Sequence, residues 1–147
     1  LSPKAFAAAY QEGLGRGCFL VEGAKELLEE LYGGYRMYVV TNGVSSTAYS
    51  RLIGTGVLSY FRKVFVSEEL GAQKPSMEYF DKVFSDIQDF NRSSTLLIGD
   101  TLSSDIQGAE NAGIDCCWVN MEGKENPTEL RPSYEIRALR ELPPLLI

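Results

Sequence analysis

Several residues able to do chemistry stand directly behind apolar runs of strand length. Thr41-Asn42-Gly43 follows residues 35–40, YRMYVV. Lys74, in Gln73-Lys74-Pro75, comes one short helix after residues 63–66, KVFV. Asp100 follows residues 95–98 and Gly99, and Asp105 lies one helical turn further on. Taken singly, each has a plain structural reading. Asn-Gly is a turn signal, a lone lysine is a solvated surface residue, and aspartates cap helices or oppose their dipoles. Taken together, they make a chemical set. Thr41 and the amides after it can donate to phosphate oxygens. Lys74 can neutralise charge on a transferring phosphoryl group. Asp100 suits Mg²⁺, which takes few carboxylates and keeps its other positions for water and phosphate. The chemistry predicted is metal-assisted phosphoryl transfer on a small phosphorylated substrate.

The elements that must position these residues follow from hydrophobic period. Buried strands are expected at 35–40, 63–66, 95–98 and 115–119. Between them the period becomes helical: Ala24, Leu27, Leu28 and Leu31 form one stripe, and Met77, Phe80, Val83, Phe84 and Ile87 another. Pro75 is expected to open the second of these helices at its first position. Ala48 and Leu52 mark a third helix, closed by Gly54 and Gly56, and a fourth is expected from Ser103 to Ala112, stopped by Gly113. Such alternation predicts a doubly wound parallel α/β sheet, whose ligands bind beyond the carboxyl ends of the strands. The chain from residue 121 onward reads as a loop with a short helix near 135–141. Residues 1–20 look different: PKAFAAAYQEGL reads as a short amphipathic helix and GRGCFLVEG as a glycine-broken connector. The division expected is therefore 1–20 and an α/β core over 21–147.

Composition removes several function classes. The chain has 147 residues, no histidine and a net charge of −6. The charge disfavours nucleic acid or an anionic membrane as a partner. The absence of histidine excludes imidazole relays and His-based zinc cages. No apolar run approaches the roughly 18 residues of a membrane span. Cys18, Cys116 and Cys117 are odd in number and two are adjacent. That pattern is no disulfide framework and is expected of a cytoplasmic protein.

The order Thr41, Lys74, Asp100, with strand–helix spacing between each, resembles the haloacid dehalogenase (HAD) superfamily of phosphatases. VVTNG resembles its second motif, QKPS its third and GDTLSSD its fourth. The resemblance covers residues 20–147. SEELGAQKPS, LLIGDTLSSDIQGAENAGI and CWVN are similar to the branch of noncanonical pyrimidine nucleotidases, which act on nucleoside monophosphates. By that resemblance Thr41, with the Asn42–Gly43 region, binds the phosphoryl oxygens and Lys74 stabilises them. Asp100 ligates Mg²⁺, and Asp105 supports the metal's waters or pairs with Lys74. Val21-Glu22-Gly23 departs from the family, whose members commonly carry Pro before the glycine.

The larger departure is an absence. HAD phosphatases begin with a strand ending in Asp-x-Asp, whose first aspartate forms an aspartyl-phosphate and whose second is the general acid/base. The 147 residues contain no Asp-x-Asp, and Asp86 and Asp89 read as solvated. The resemblance then implies that the first motif and most of the cap precede Leu1, with residues 1–20 the end of the cap. It also implies a gap in the sheet between the strands ending at Thr41 and Asp100. Strands pair about 4.8 Å apart, so that gap leaves two apolar edges open. The missing N-terminal segment is expected to complete the core, and the chain alone is expected to be inactive. Two other functions fit parts of the pattern: a non-catalytic phosphate- or Mg²⁺-binding remnant, and a receiver-like signalling module. Residue order disfavours the latter.

Overall fold

The structure is a computed structural model that describes the backbone of residues 5–9 and residues 20–146. Six strands form one sheet: β1 (Ala5–Ala9), β2 (Arg36–Thr41), β3 (Lys63–Val66), β4 (Thr95–Gly99), β5 (Asp115–Val119) and β6 (Tyr134–Ile136). Their order is β3-β2-β1-β4-β5-β6, and every neighbouring pair is parallel. The order reverses direction between β1 and β4, so the ligand crevice of this fold lies beyond the carboxyl ends of the strands flanking that point. The α/β parallel architecture expected from the period is the one observed.

Among the described residues, five helices connect the strands: α1 (Ala24–Leu31), α2 (Ser45–Gly54), α3 (Ser67–Leu70), α4 (Met77–Ser85) and α5 (Gln107–Ala112). They cover both faces. Tyr38, Val40, Phe65, Leu97 and Cys116 pack with Tyr79, Phe80 and Val83 of α4 and Ala109 of α5. Met37, Leu96, Cys117 and Ile136 pack with Leu31 of α1, and Val39, Val64 and Val66 with Ala48 and Leu52 of α2. Successive residues of β2 therefore serve opposite layers, as the two-residue strand period requires. The same alternation sends Cys116 and Cys117 to opposite faces, both buried.

Several elements differ from the expectations. The first is at the amino end. Ala5–Ala9 is a strand, in register with both Arg36–Val40 and Thr95–Ile98. Neither a helix at residues 5–9 nor an open central gap is found. Alanine favours helix locally, but two unpaired strand edges offer hydrogen bonds to both sides of an intervening backbone, and that outweighs the local preference. The connector expected in GRGCFLVEG lies mostly outside the described residues. Secondly, Tyr134–Ile136 pairs with β5, and the helical pieces that follow are 3₁₀ turns at Leu139–Glu141 and Pro143–Leu146. Thirdly, Ser76 rather than Pro75 opens α4. Its hydroxyl accepts from the Tyr79 N–H at 3.2 Å.

Candidate active site

Lys74 lies in the loop between α3 and α4. Its side chain is 4 % exposed and ends 2.7 Å from Oδ1 of Asp105, which is 4 % exposed. The same ammonium donates to the Val40 carbonyl at 3.2 Å. The cation is thus held from β2 and from the turn after β4. Two buried charges in contact offset each other's desolvation, which neither could sustain alone. Asp105 uses its other oxygen to accept from the Thr101 N–H at 3.2 Å.

The turn that brings Asp105 there departs from the continuous helix expected over 103–112. Leu102–Ile106 forms one π-helical turn before α5 begins. The Ile106 N–H donates to the Thr101 carbonyl at 3.3 Å, a bond spanning five residues. Wide turns of this kind are frequent at functional sites. Here it returns Asp105 over Gly99, so closely that a Cβ on residue 99 would lie 2.5 Å from the Asp105 carboxyl carbon. The glycine of Gly99-Asp100 is there for that approach.

Thr41 ends β2 and is 1 % exposed. Its N–H donates to the Tyr79 hydroxyl at 3.1 Å, which itself donates to the Phe65 carbonyl at 2.7 Å. Burial raises the Tyr79 phenol far above its ordinary 10.0, so it remains a donor at any working pH. The Asn42 side chain is engaged with the backbone of Lys74: Nδ2 donates to its carbonyl at 3.0 Å, and Oδ1 accepts from its N–H at 2.8 Å. Gly43 donates its N–H to Ser67 Oγ at 2.7 Å, and the Ser45 N–H at the start of α2 donates to Glu68 at 3.2 Å.

Asp100 is more open. One oxygen accepts from the Thr101 hydroxyl at 3.1 Å, and its main-chain carbonyl accepts from the Trp118 indole at 3.1 Å. It makes no ion pair among the described residues. Burial pushes its carboxyl above the ordinary 3.8, and the nearby Asp105 adds to the rise. The Thr101 hydroxyl and Lys74 oppose it. With Gly99, Thr101 and Trp118 it lines a cavity of about 1390 Å³. No group of three or more His, Cys, Asp and Glu side chains suited to a metal is found among the described residues. A single destabilised carboxylate at a cavity wall fits Mg²⁺, which needs few protein ligands.

Lys74 and Asp105 are therefore in contact, Asn42 is joined to Lys74, and Asp100 stands beside them facing the cavity. Tyr79, Ser67, Glu68 and Trp118, which hold the site's backbone, were not expected from the sequence. Tyr79 and Trp118 sit in apolar patterns, and the one legible cue was that such side chains carry a polar tip needing a partner when buried.

Residues 2–119 match the family described as haloacid dehalogenase-like hydrolase. The chain belongs to that family. Among similar HAD proteins, YfnB of Bacillus subtilis, named as a HAD-hydrolase, is 47% identical over 90% of this chain and 57% of its own. Pyrimidine 5′-nucleotidase PynA of Streptococcus pneumoniae is 39% identical over 92% of this chain and 58% of its own. Pyrimidine 5′-nucleotidase YjjG of Escherichia coli is 34% identical over 99% and 65%. A crystal structure of magnesium-bound YfnB superposes with a TM-score of 0.87 over 88% of this chain and 57% of that one. The chain thus spans less than two thirds of the length of these HAD relatives. Among the described residues no helix is long and apolar enough to cross a membrane.

Proposed function

We propose that the protein carrying this chain is a Mg²⁺-dependent phosphate monoester hydrolase, a 5′-nucleotidase acting on pyrimidine nucleoside monophosphates. The observation that carries the reading is the buried Lys74–Asp105 pair beside the partly exposed Asp100. A structural ion pair needs no further carboxylate next to it, whereas a phosphate site needs a fixed cation and a metal-binding carboxylate together. The names of PynA and YjjG support the nucleotide substrate.

In this reading Lys74 neutralises the phosphoryl oxygens and the Thr41 hydroxyl donates to them. Asp105 holds Lys74 in place, and Asp100 holds Mg²⁺. The metal, when bound, supplies charge neutralisation to the phosphate. The nucleophile of the aspartyl-phosphate route belongs to an Asp-x-Asp strand that the 147 residues do not contain. The chain by itself is therefore inactive. Reducing surroundings, the cytoplasm, suit cysteines buried on opposite faces of the sheet.

The test is turnover by the protein at the length of its relatives, with Mg²⁺, against a panel of nucleoside and sugar monophosphates. Pyrimidine nucleotides should be hydrolysed, and Lys74→Ala or Asp100→Asn should lower kcat by about 100-fold or more. Hydrolysis of sugar phosphates alone would overturn the nucleotidase reading. One observation favours a second reading for this chain: β1, in the central slot, is the run AFAAA, without any carboxylate. A domain so built binds phosphate or Mg²⁺ without turning it over. Saturable phosphate binding by an inactive protein of full relative length would select that reading.

A further inference from the structure

We propose that Asn42 is a positioning residue for Lys74 rather than a ligand of the phosphate. The inference rests on the phosphatase reading above. Lys74 lies where neither helix nor strand satisfies its main chain, and the residue is 5 % exposed. Buried backbone groups must find partners. Both of its main-chain groups find theirs in one side chain, the Asn42 carboxamide, at 3.0 and 2.8 Å. A carboxamide is a neutral group that offers a coplanar donor and acceptor, and Asn has the shorter reach of the two that carry it. Aspartate would keep the acceptor and lose the donor.

The other end of Lys74 is fixed as well, by Asp105 at 2.7 Å and by the Val40 carbonyl at 3.2 Å. Val40 lies at the carboxyl end of β2 and Asn42 directly after it. The flexible lysine is thus referenced at its backbone and at its tip to the strand that carries Thr41. An ammonium has three donors, and two are used here. The third has no partner among the described residues, and its direction is set by where the other two and the backbone are held. Releasing the backbone lets that direction wander, and small misplacements at a reacting centre are costly.

Two measurements test this. Hydrogen exchange of the Lys74 amide, on the protein at full relative length, reads the clamp without any activity. Asn42→Ala should speed that exchange by at least about 10-fold while the amide of Val39 is unchanged, and Asn42→Asp should leave it protected. Unchanged Lys74 exchange in Asn42→Ala would overturn the proposal. In the protein at full relative length, Asn42→Ala should lower kcat/KM by about 100-fold alone. In a Lys74→Ala background it should change kcat/KM less than about 2-fold, because nothing remains to be positioned. Equal losses in both backgrounds would mean that Asn42 meets the substrate itself, and would overturn the proposal. Absence of turnover in the unsubstituted protein would sink the phosphatase reading, and the exchange measurement would still decide the clamp.

Discussion

Asp105 and Asp100 come from the same connection between β4 and α5 and live in opposite conditions. Asp105 is buried, and both of its oxygens are committed, one to Lys74 and one to the Thr101 N–H. Asp100 faces a cavity, has no ion pair among the described residues, and carries a carboxyl raised by burial and by Asp105. The first aspartate is spent on structure within the site. The second is left in a state that a cation would relieve. A carboxylate's role is thus set less by its motif than by which of its lone pairs the protein has already used.

The contrast predicts its largest effect at the buried pair. Asp105→Ala leaves the Lys74 ammonium in place without its counter-charge, and should cost about 3–5 kcal/mol in urea unfolding. Replacing both members with apolar residues of similar size, Lys74→Met with Asp105→Leu, should recover much of that loss, because no lone buried charge remains. If the single and double variants were equally unstable, the pair would not be balanced in the way described.

Asp100 should make stability depend on pH. Its folded carboxyl titrates above the ordinary 3.8 of the unfolded chain. The native state then holds a proton that the unfolded state has lost, so this group's contribution to stability is full below about that value. It is lost as pH rises through the raised native value. Without divalent cation, Asp100→Asn should therefore gain stability relative to the unsubstituted chain as pH climbs through that window. Melting temperatures of the two proteins from pH 3 to 7, compared as a difference, would check it; a flat difference would break the contrast.

The smallest effect is expected at a pair that resembles Lys74–Asp105 only in composition. Lys63 and Asp86 also form an ion pair, but their side chains are 50% and 47% exposed. Water already solvates both charges, so Lys63→Ala should change stability by no more than about 1 kcal/mol. Added salt should reduce even that.

Much of this was readable from residues alone, for identifiable reasons. Strands such as 63–66 and 115–119 are apolar runs buried on both faces, and strand ends of this kind locate the rim that carries Thr41 and Asp100. Ala5–Ala9 reads as a helix in the sequence because alanine's helix preference is local, while the two strand edges it joins are 31 and 90 residues away in the chain. Tyr134–Ile136 is similar: three residues carry too little period to reveal a strand, and pairing with β5 decides it. The Asn42 contact with Lys74 spans 32 residues and left only an Asn-Gly turn signal behind. The π-helical turn that separates the tasks of Asp105 and Asp100 has no composition of its own, since Leu102–Ile106 also suits an ordinary helix.

The division of labour between the two aspartates is tested most directly by calorimetric titration of Mg²⁺, with inorganic phosphate present. The protein at full relative length, its Asp100→Asn variant and its Asp105→Asn variant would be compared, each first shown to be folded by its melting transition. Asp100→Asn should abolish saturable Mg²⁺ binding while keeping or improving stability in the absence of metal, and Asp105→Asn should lose stability first. Mg²⁺ binding by Asp100→Asn as tight as that of the unsubstituted protein would contradict the account.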